Sequence, residues 1–190
     1  MKTIDLKQGS PEWLTFRRSH IGASDCSSIM DVNPFKCERK VWEEKVLGLN
    51  EPVNKKMKDG QKNEEKAREC YVAMTGIDVN PCVAESTVYP FISASFDGMT
   101  KNQNHIVEIK CGKSSHKLAQ IGVIPMYYEA QMHHQLYVAG LNEMDYFSYS
   151  EGEGIVLKFY RDENFITNML DKYKIFWKSV LDGKYEEIIR

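Results

Sequence analysis

The sequence predicts an α/β fold, and three observations carry that prediction. Segments with helical spacing occupy roughly the first 76 residues. A block rich in Val, Ile, Thr, Phe and Tyr follows, cut by short polar turns. A strongly periodic helix closes the pattern, with Phe165, Met169, Tyr173, Phe176, Trp177 and Val180 on one stripe. With 190 residues and no repeat or low-complexity segment, the chain reads as one domain. Its parts are a helical region about 1–76, a sheet core about 78–160 and a final helix about 162–182.

Each element has its own signal. Pro11 after Ser10 starts a helix that runs to about Arg18, and His20-Ile21-Gly22-Ala23 breaks it. Ser24-Asp25 offers an N-cap with an acid behind it, for a helix to about Met30. Asn33-Pro34 makes a turn, and Glu38 to Leu47 reads as a third helix ending before Gly48. Lys58 to Thr75 reads as a longer helix stopped by Gly76. From Asp78 to Cys111 the pattern is strand, turn, strand, interrupted at Asp97-Gly98 and at Lys101–Asn104. Pro125 opens a helix through Ala139, with Gly140 as its C-cap. Strands at Asp145–Ser150 and Ile155–Tyr160 flank the turn Glu151-Gly152-Glu153-Gly154. The last helix follows Asp162-Glu163 and ends before Gly183, and its aromatic stripe is core material.

Composition excludes several classes. No apolar run approaches the ~20 residues of a membrane helix, and Met1-Lys2-Thr3-Ile4-Asp5 is no signal peptide. The 42% hydrophobic and 27% charged fractions belong to a globular protein rather than a disordered one. Cys26, Cys37, Cys70, Cys82 and Cys111 are odd in number and form no C-x-x-C pair. They read as reduced thiols in a cytoplasmic protein. A net charge of −2 argues against a basic, histone-like nucleic-acid binder. Residues 1–60, with 11 basic against 9 acidic side chains, hold a small positive excess that includes Arg17 and Lys55-Lys56-Met57-Lys58. That lysine run suits either a DNA path or a solvated face.

The chemistry concentrates at Asp97 and at Glu108-Ile109-Lys110. Side chains alternate along a strand, so Glu108 and Lys110 share a face while Ile109 points into the opposite layer. Antiparallel pairing across Lys101–Asn104 brings Asp97 beside Glu108. Two converging carboxylates suit a hard cation such as Mg2+, with the Ile109 carbonyl placed to add a third oxygen. Lys110 is placed to orient or deprotonate a metal-bound water, or to stabilise charge on a phosphate. On spacing alone the pattern also suits an ordinary cross-strand ion pair. Ala94-Ser95-Phe96-Asp97-Gly98, rich in small residues, leaves room for a ligand near the backbone.

Ser95-Phe96-Asp97-Gly98 followed by Glu108-Ile109-Lys110 resembles the PD-(D/E)-x-K nuclease core. Four further motifs occur in order: Trp13-x-x-x-Arg17, Ile21-Gly22-Ala23-Ser24-Asp25, Gly60-x-x-x-Glu64-x-x-Ala67-Arg68, and Glu129-Ala130-Gln131-Met132-His133-His134-Gln135-Leu136. Together they resemble the phage lambda-type exonucleases, also called YqaJ-like viral recombinases. The resemblance implies a restriction-endonuclease-like core, a mixed central β-sheet flanked by helices.

It also implies roles. Asp97 and Glu108 would hold catalytic Mg2+, for which Mn2+ would substitute, and Lys110 would act on the nucleophilic water. Glu64 would be an outer or second-metal ligand, and the residue equally suits a solvated helix face. Arg17, Ser24 and Ser95 would bind a DNA 5′-phosphate; Arg17 can grip phosphate oxygens bidentately, and Ser24 lies at a predicted helix start. His133 stands where many members carry the second glutamine of a Gln-x-Gln pattern, so Gln131 and His133 are both candidates to face the site. Tyr127-Tyr128 nearby either stack or pack.

The activity implied is 5′→3′ digestion of one strand from double-stranded DNA ends, leaving 3′ overhangs for recombination. The implied partners are double-stranded DNA ends and a single-strand annealing protein, the implied assembly a trimeric ring. An endonuclease on the same core and a non-catalytic DNA-end-binding module are the alternatives.

Overall fold

The computed structural model describes residues 1–49 and 55–185, with side chains described outside 50–62. One mixed, mostly antiparallel sheet organises it, flanked by helices. The strands are β1 (Lys2–Ile4), β2 (Ile21–Gly22), β3 (Asn80–Glu85), β4 (Ile92–Met99), β5 (Ile106–Cys111), β6 (Glu143–Ser150) and β7 (Glu153–Tyr160). Their order is β1-β3-β4-β5-β6-β7, with β2 joined in parallel to the start of β4. The β5–β6 pair is the other parallel one, and the remaining pairs are antiparallel.

The helices are α1 (Pro11–Arg18), α2 (Ala23–Ile29), α3 (Glu38–Val46), α4 (Lys55–Thr75), α5 (Lys113–Gln120), α6 (Met126–Ala139) and α7 (Glu163–Asp182). Most fall where their caps and periodicity place them. The Asp162 side chain accepts from the backbone N–H of Asn164 and Phe165 at the start of α7, and Gly183 ends it at φ 63°. Gly140 closes α6 in the same way. The α7 stripe is core as expected, with Met169, Tyr173 and Phe176 buried and Trp177 stacked on Phe91.

Five local readings need correction. Asp97 and Gly98 do not interrupt the strand pattern but lie within β4, and the break that precedes this strand is at 86–91. Gly22, not Ser24, caps α2, and Asp25 returns its carboxylate to the Gly22 N–H at 2.9 Å. Helix α4 begins at Lys55, three residues before the expected Lys58. The Lys55-Lys56-Met57-Lys58 side chains lie outside the described ones. The β6–β7 hairpin closes on two residues, Glu151 and Gly152, both at positive φ, so its strands run longer than expected. Strands β1 and β2 and helix α5 carry too short or too polar a pattern to be expected.

Two apolar layers sandwich the sheet. Helices α2, α6 and α7 cover one face, with Phe96, Met132, Leu136, Met144 and Tyr146 among the buried side chains. Helix α4 covers the other, burying Ala67 and Tyr71 against Val79, Val107, Ile109 and Phe147. Gly98 is required on that second face. A Cβ there would lie 2.7 Å from both Val107 and Val79 side chains.

Candidate active site

The site grows from a split in the sheet. Strands β4 and β5 pair only at Gly98↔Val107 and Met99↔Ile106 and then part. The Asp97 carboxylate enters the opening and accepts the Ile109 N–H at 2.8 Å, a donor the ladder no longer uses. Further along β4, the short β2 pairs with it at Ile21↔Ile92 and Gly22↔Ser93. The split therefore both frees Asp97 and docks the Gly22–Asp25 turn beside the same strand.

Glu108 and Lys110 share a face, as alternation requires, and are ion-paired there. Helix α6 supplies the roof. Gln131 Nε2 donates to one Glu108 oxygen at 2.6 Å, and Gln135 Nε2 donates to the other at 2.5 Å. Lys110 Nζ also donates to Gln131 Oε1 at 3.3 Å and lies 4.7 Å over the Tyr128 ring. Glutamines four apart lie on one helical face, so both reach down onto Glu108. From the other side, Arg68 of α4 donates to the Asp97 carbonyl at 2.8 Å and to the Glu64 carboxylate at 2.9 Å.

The electrostatics are unbalanced. Burial, then the neighbouring Glu108 and Glu64 charges, push the Asp97 carboxyl well above the usual range, and Lys110 offsets only part of this. Burial also raises Glu64, with Glu108 repelling it and Arg68 working against the rise. Burial disfavours the Lys110 charge, but the Glu108 and Asp97 carboxylates outweigh it and hold Lys110 as an ammonium. Three carboxylates thus converge on two cations, Lys110 and Arg68. Among the described residues no three His, Cys, Asp or Glu side chains are drawn together as a finished metal cage. The donor set nevertheless fits a hard cation. It offers carboxylate oxygens from adjacent strands, and burial with mutual repulsion opposes the ionisation of Asp97 and Glu64 when no cation is there to offset it.

A second cluster adjoins along β4. Trp13 Nε1 donates to Ser95 Oγ at 2.9 Å, and Ser95 stands two residues before Asp97 on the same face. Arg17 lies over the Trp13 ring, 4.8 Å from its centroid, and donates to Ser24 Oγ at 2.7 Å. Beneath them Asp25 is buried against Lys45 at 2.6 Å, and Lys45 Nζ also donates to the Arg17 carbonyl at 2.8 Å. Burial opposes the Asp25 charge, but Lys45 and Arg17 outweigh it and hold its carboxyl well below the usual range. Because Asp25 already occupies the start of α2, the group free to meet an anion is Arg17, with exposed Ser24 beside it.

A model of the YqaJ-like viral recombinase domain matches residues 12–142, well over half of the chain. The chain belongs to that family. No curated protein sequence matches it. Among solved structures, it is similar to an alkaline exonuclease from Laribacter hongkongensis (TM-score 0.80, 21% identity), covering 92% of this chain and 94% of that one. The same exonuclease in complex with dAMP matches with a TM-score of 0.79 at 21% identity and the same coverage. A phage-related exonuclease from Haemophilus somnus matches with a TM-score of 0.66 at 14% identity, covering 85% of this chain and 93% of that one. These similarities show a shared fold.

In this recombinase-family chain the structure brings together Asp97, Glu108, Lys110, Glu64 and Gln131, and joins Arg17, Ser24 and Ser95 into one neighbouring cluster. It does not bring His133 to the site. That ring packs between Phe159 and Phe165, with centroids 4.6 and 4.5 Å away. Burial pulls its pKa down to about 4, and its Nδ1 has no hydrogen-bond partner among the described residues. The glutamine that faces the site beside Gln131 is Gln135. Helical arithmetic contained that answer, since positions i and i+4 share a face and i+2 does not. Trp13 and Lys45 were also missed as site builders. Trp13 stands in an N-terminal motif and could have been singled out, but nothing in the sequence pairs Lys45 with Asp25.

Proposed function

We propose that this protein is a Mg2+-dependent 5′→3′ exonuclease. It digests one strand of double-stranded DNA from 5′-phosphorylated ends to mononucleotides, leaving 3′ overhangs for recombination by single-strand annealing. The observation that carries the reading is a chain of contacts along β4. The crowded Asp97–Glu108–Lys110 cluster lies at one end, and the Arg17–Ser24 pair, linked through Trp13 and Ser95, lies at the other. Family membership and the fold shared with exonucleases support it.

In this reading Asp97, Glu108 and the Ile109 carbonyl would hold the divalent cation, Mg2+ or Mn2+, with Glu64 as an outer or second ligand. Bound there, a divalent cation would supply Lewis-acid stabilisation and lower the pKa of a water. Lys110, as an ammonium, orients the attacking water and offsets charge on the scissile phosphate. Gln131 and Gln135 are positioning residues that fix the Glu108 carboxylate. Arg17 binds the terminal 5′-phosphate with Ser24 and Ser95, setting the reading direction. The assembly proposed is a trimeric ring around DNA, with a single-strand annealing protein as partner.

The test is a nuclease assay with purified protein on linear duplexes bearing 5′-phosphate or 5′-hydroxyl ends, and on closed circles, with and without Mg2+. Mononucleotide release from phosphorylated linear ends, only with Mg2+, is expected. Cutting of closed circles would establish an endonuclease instead, and no cleavage in any arm would leave an end-binding module.

A further inference from the structure

We infer that Phe35 and Tyr127 form a base-stacking step, continued by Tyr128, that receives the nucleobases at the end of the DNA strand being processed; this rests on the reading of the site as a nuclease. Phe35 is 80% exposed, an unusual position for a large apolar ring. The surrounding turn holds it there. Asn33 Oδ1 accepts the N–H groups of Phe35 and Lys36 at 2.8 and 3.2 Å. Its amide in turn donates to Ser27 Oγ at 3.0 Å and Ser28 Oγ at 3.3 Å on α2. Lys36 is tied to Glu44 at 2.6 Å. The ring is therefore presented on an anchored turn.

The exposed ring is also continuous with the chemistry. Phe35 meets Tyr127 edge-on at 5.6 Å, Tyr127 meets Tyr128 at 4.4 Å, and Lys110 Nζ lies 4.7 Å over Tyr128. Three aromatic rings thus run from the candidate catalytic lysine to the surface, ending in the one most open to solvent. Stacking accepts any base, because every base has a π-face, and a nuclease that digests from DNA ends must accept all sequences. A nucleobase is the occupant that suits both the ring chemistry and this continuity with a phosphate-handling cluster.

The test measures binding of the full-length protein in EDTA to a 5′-phosphorylated duplex. The first two nucleotides of the phosphorylated strand are either normal or abasic. Phe35→Ala is expected to weaken binding of the normal end about tenfold, or about 1.4 kcal/mol, and to leave the abasic end unchanged. Phe35→Trp keeps wild-type binding, whereas Phe35→Leu, apolar but without a ring, behaves like Phe35→Ala. An equal loss on both ends, no loss on either, or a change in assembly mass with DNA affinity unchanged overturns the inference. If wild-type protein shows this binding pattern but cleaves nothing when Mg2+ is added, the nuclease reading fails while the stacking step stands. If wild-type protein binds neither end, both fail.

Discussion

Two carboxylates on strands of the same sheet meet opposite fates. Asp145, on β6, lies under α4, where Tyr71 donates to it at 2.7 Å, His105 approaches to 3.2 Å and Lys158 pairs with it at 2.7 Å. Burial pushes Asp145 up, but hydrogen bonds from His105, Lys158 and Tyr71 outweigh it and bring its pKa to about 2. Asp97, at the parting of β4 and β5, moves the other way: burial raises its pKa too, and Glu108 and Glu64 push it further, with Lys110 offsetting only part. The first arrangement satisfies its charge internally and serves stability. The second crowds carboxylates whose ionisation burial and mutual repulsion oppose, which costs stability and is what the proposed cation would relieve.

The largest effect that can break this contrast is on turnover. Asp97→Asn is expected to lower nuclease activity on the order of a thousandfold, matching the several kcal/mol a Lewis acid supplies. Its Tm, read by calorimetry, should hold or rise by about 2–4 °C, since a repelled charge is removed. A Tm collapse would mean that Asp97 is structural. Asp145→Ala should do the reverse. Leaving Tyr71 and His105 without their acceptor costs about 2–3 kcal/mol of stability by denaturant titration, with kcat unchanged. A smaller effect is expected from Arg17→Ala, which should reduce the preference for 5′-phosphate over 5′-hydroxyl ends about tenfold in a competition assay. Loss of activity on both ends alike would move Arg17 out of the phosphate-binding role.

The mildest change concerns pH. His133 and His134 have folded pKa values lowered to about 4 by burial, so between about 6.5 and 4 the unfolded chain binds their protons and the native state does not. Stability from these groups is complete above about pH 6.5 and falls as pH drops towards 4. The Asp145 contribution persists to lower pH, fading only as pH falls from the usual carboxylate range towards 2. His133→Phe, filling a pocket already lined by Phe159 and Phe165, should flatten the Tm-versus-pH curve between 6.5 and 4. An unchanged curve would show that His133 does not carry that dependence.

These contrasts also show what the sequence could and could not reveal. The alternation that put Glu108 and Lys110 on one face, and the turn that brought Asp97 alongside, are local rules, and both hold. The helices with caps and stripes are local as well. Ser24 was misread because Gly22 caps α2 through its backbone and Asp25 supplies the carboxylate, leaving Ser24 outside the cap. The parting of β4 from β5, the docking of two-residue β2 and the Asp25–Lys45 pair depend on contacts between distant segments, which no local spacing encodes. A Gln-x-Gln sequence pattern points to His133, whereas the 3.6-residue period selects Gln131 and Gln135.

The most direct test of the crowded carboxylate site is Mg2+ titration by isothermal calorimetry of wild-type protein and Asp97→Asn, without DNA. Wild-type protein should bind Mg2+ and gain Tm with it, while Asp97→Asn should lose both responses. Equal Mg2+ binding and equal Tm gain in the two proteins would contradict the assignment of Asp97 as a cation ligand.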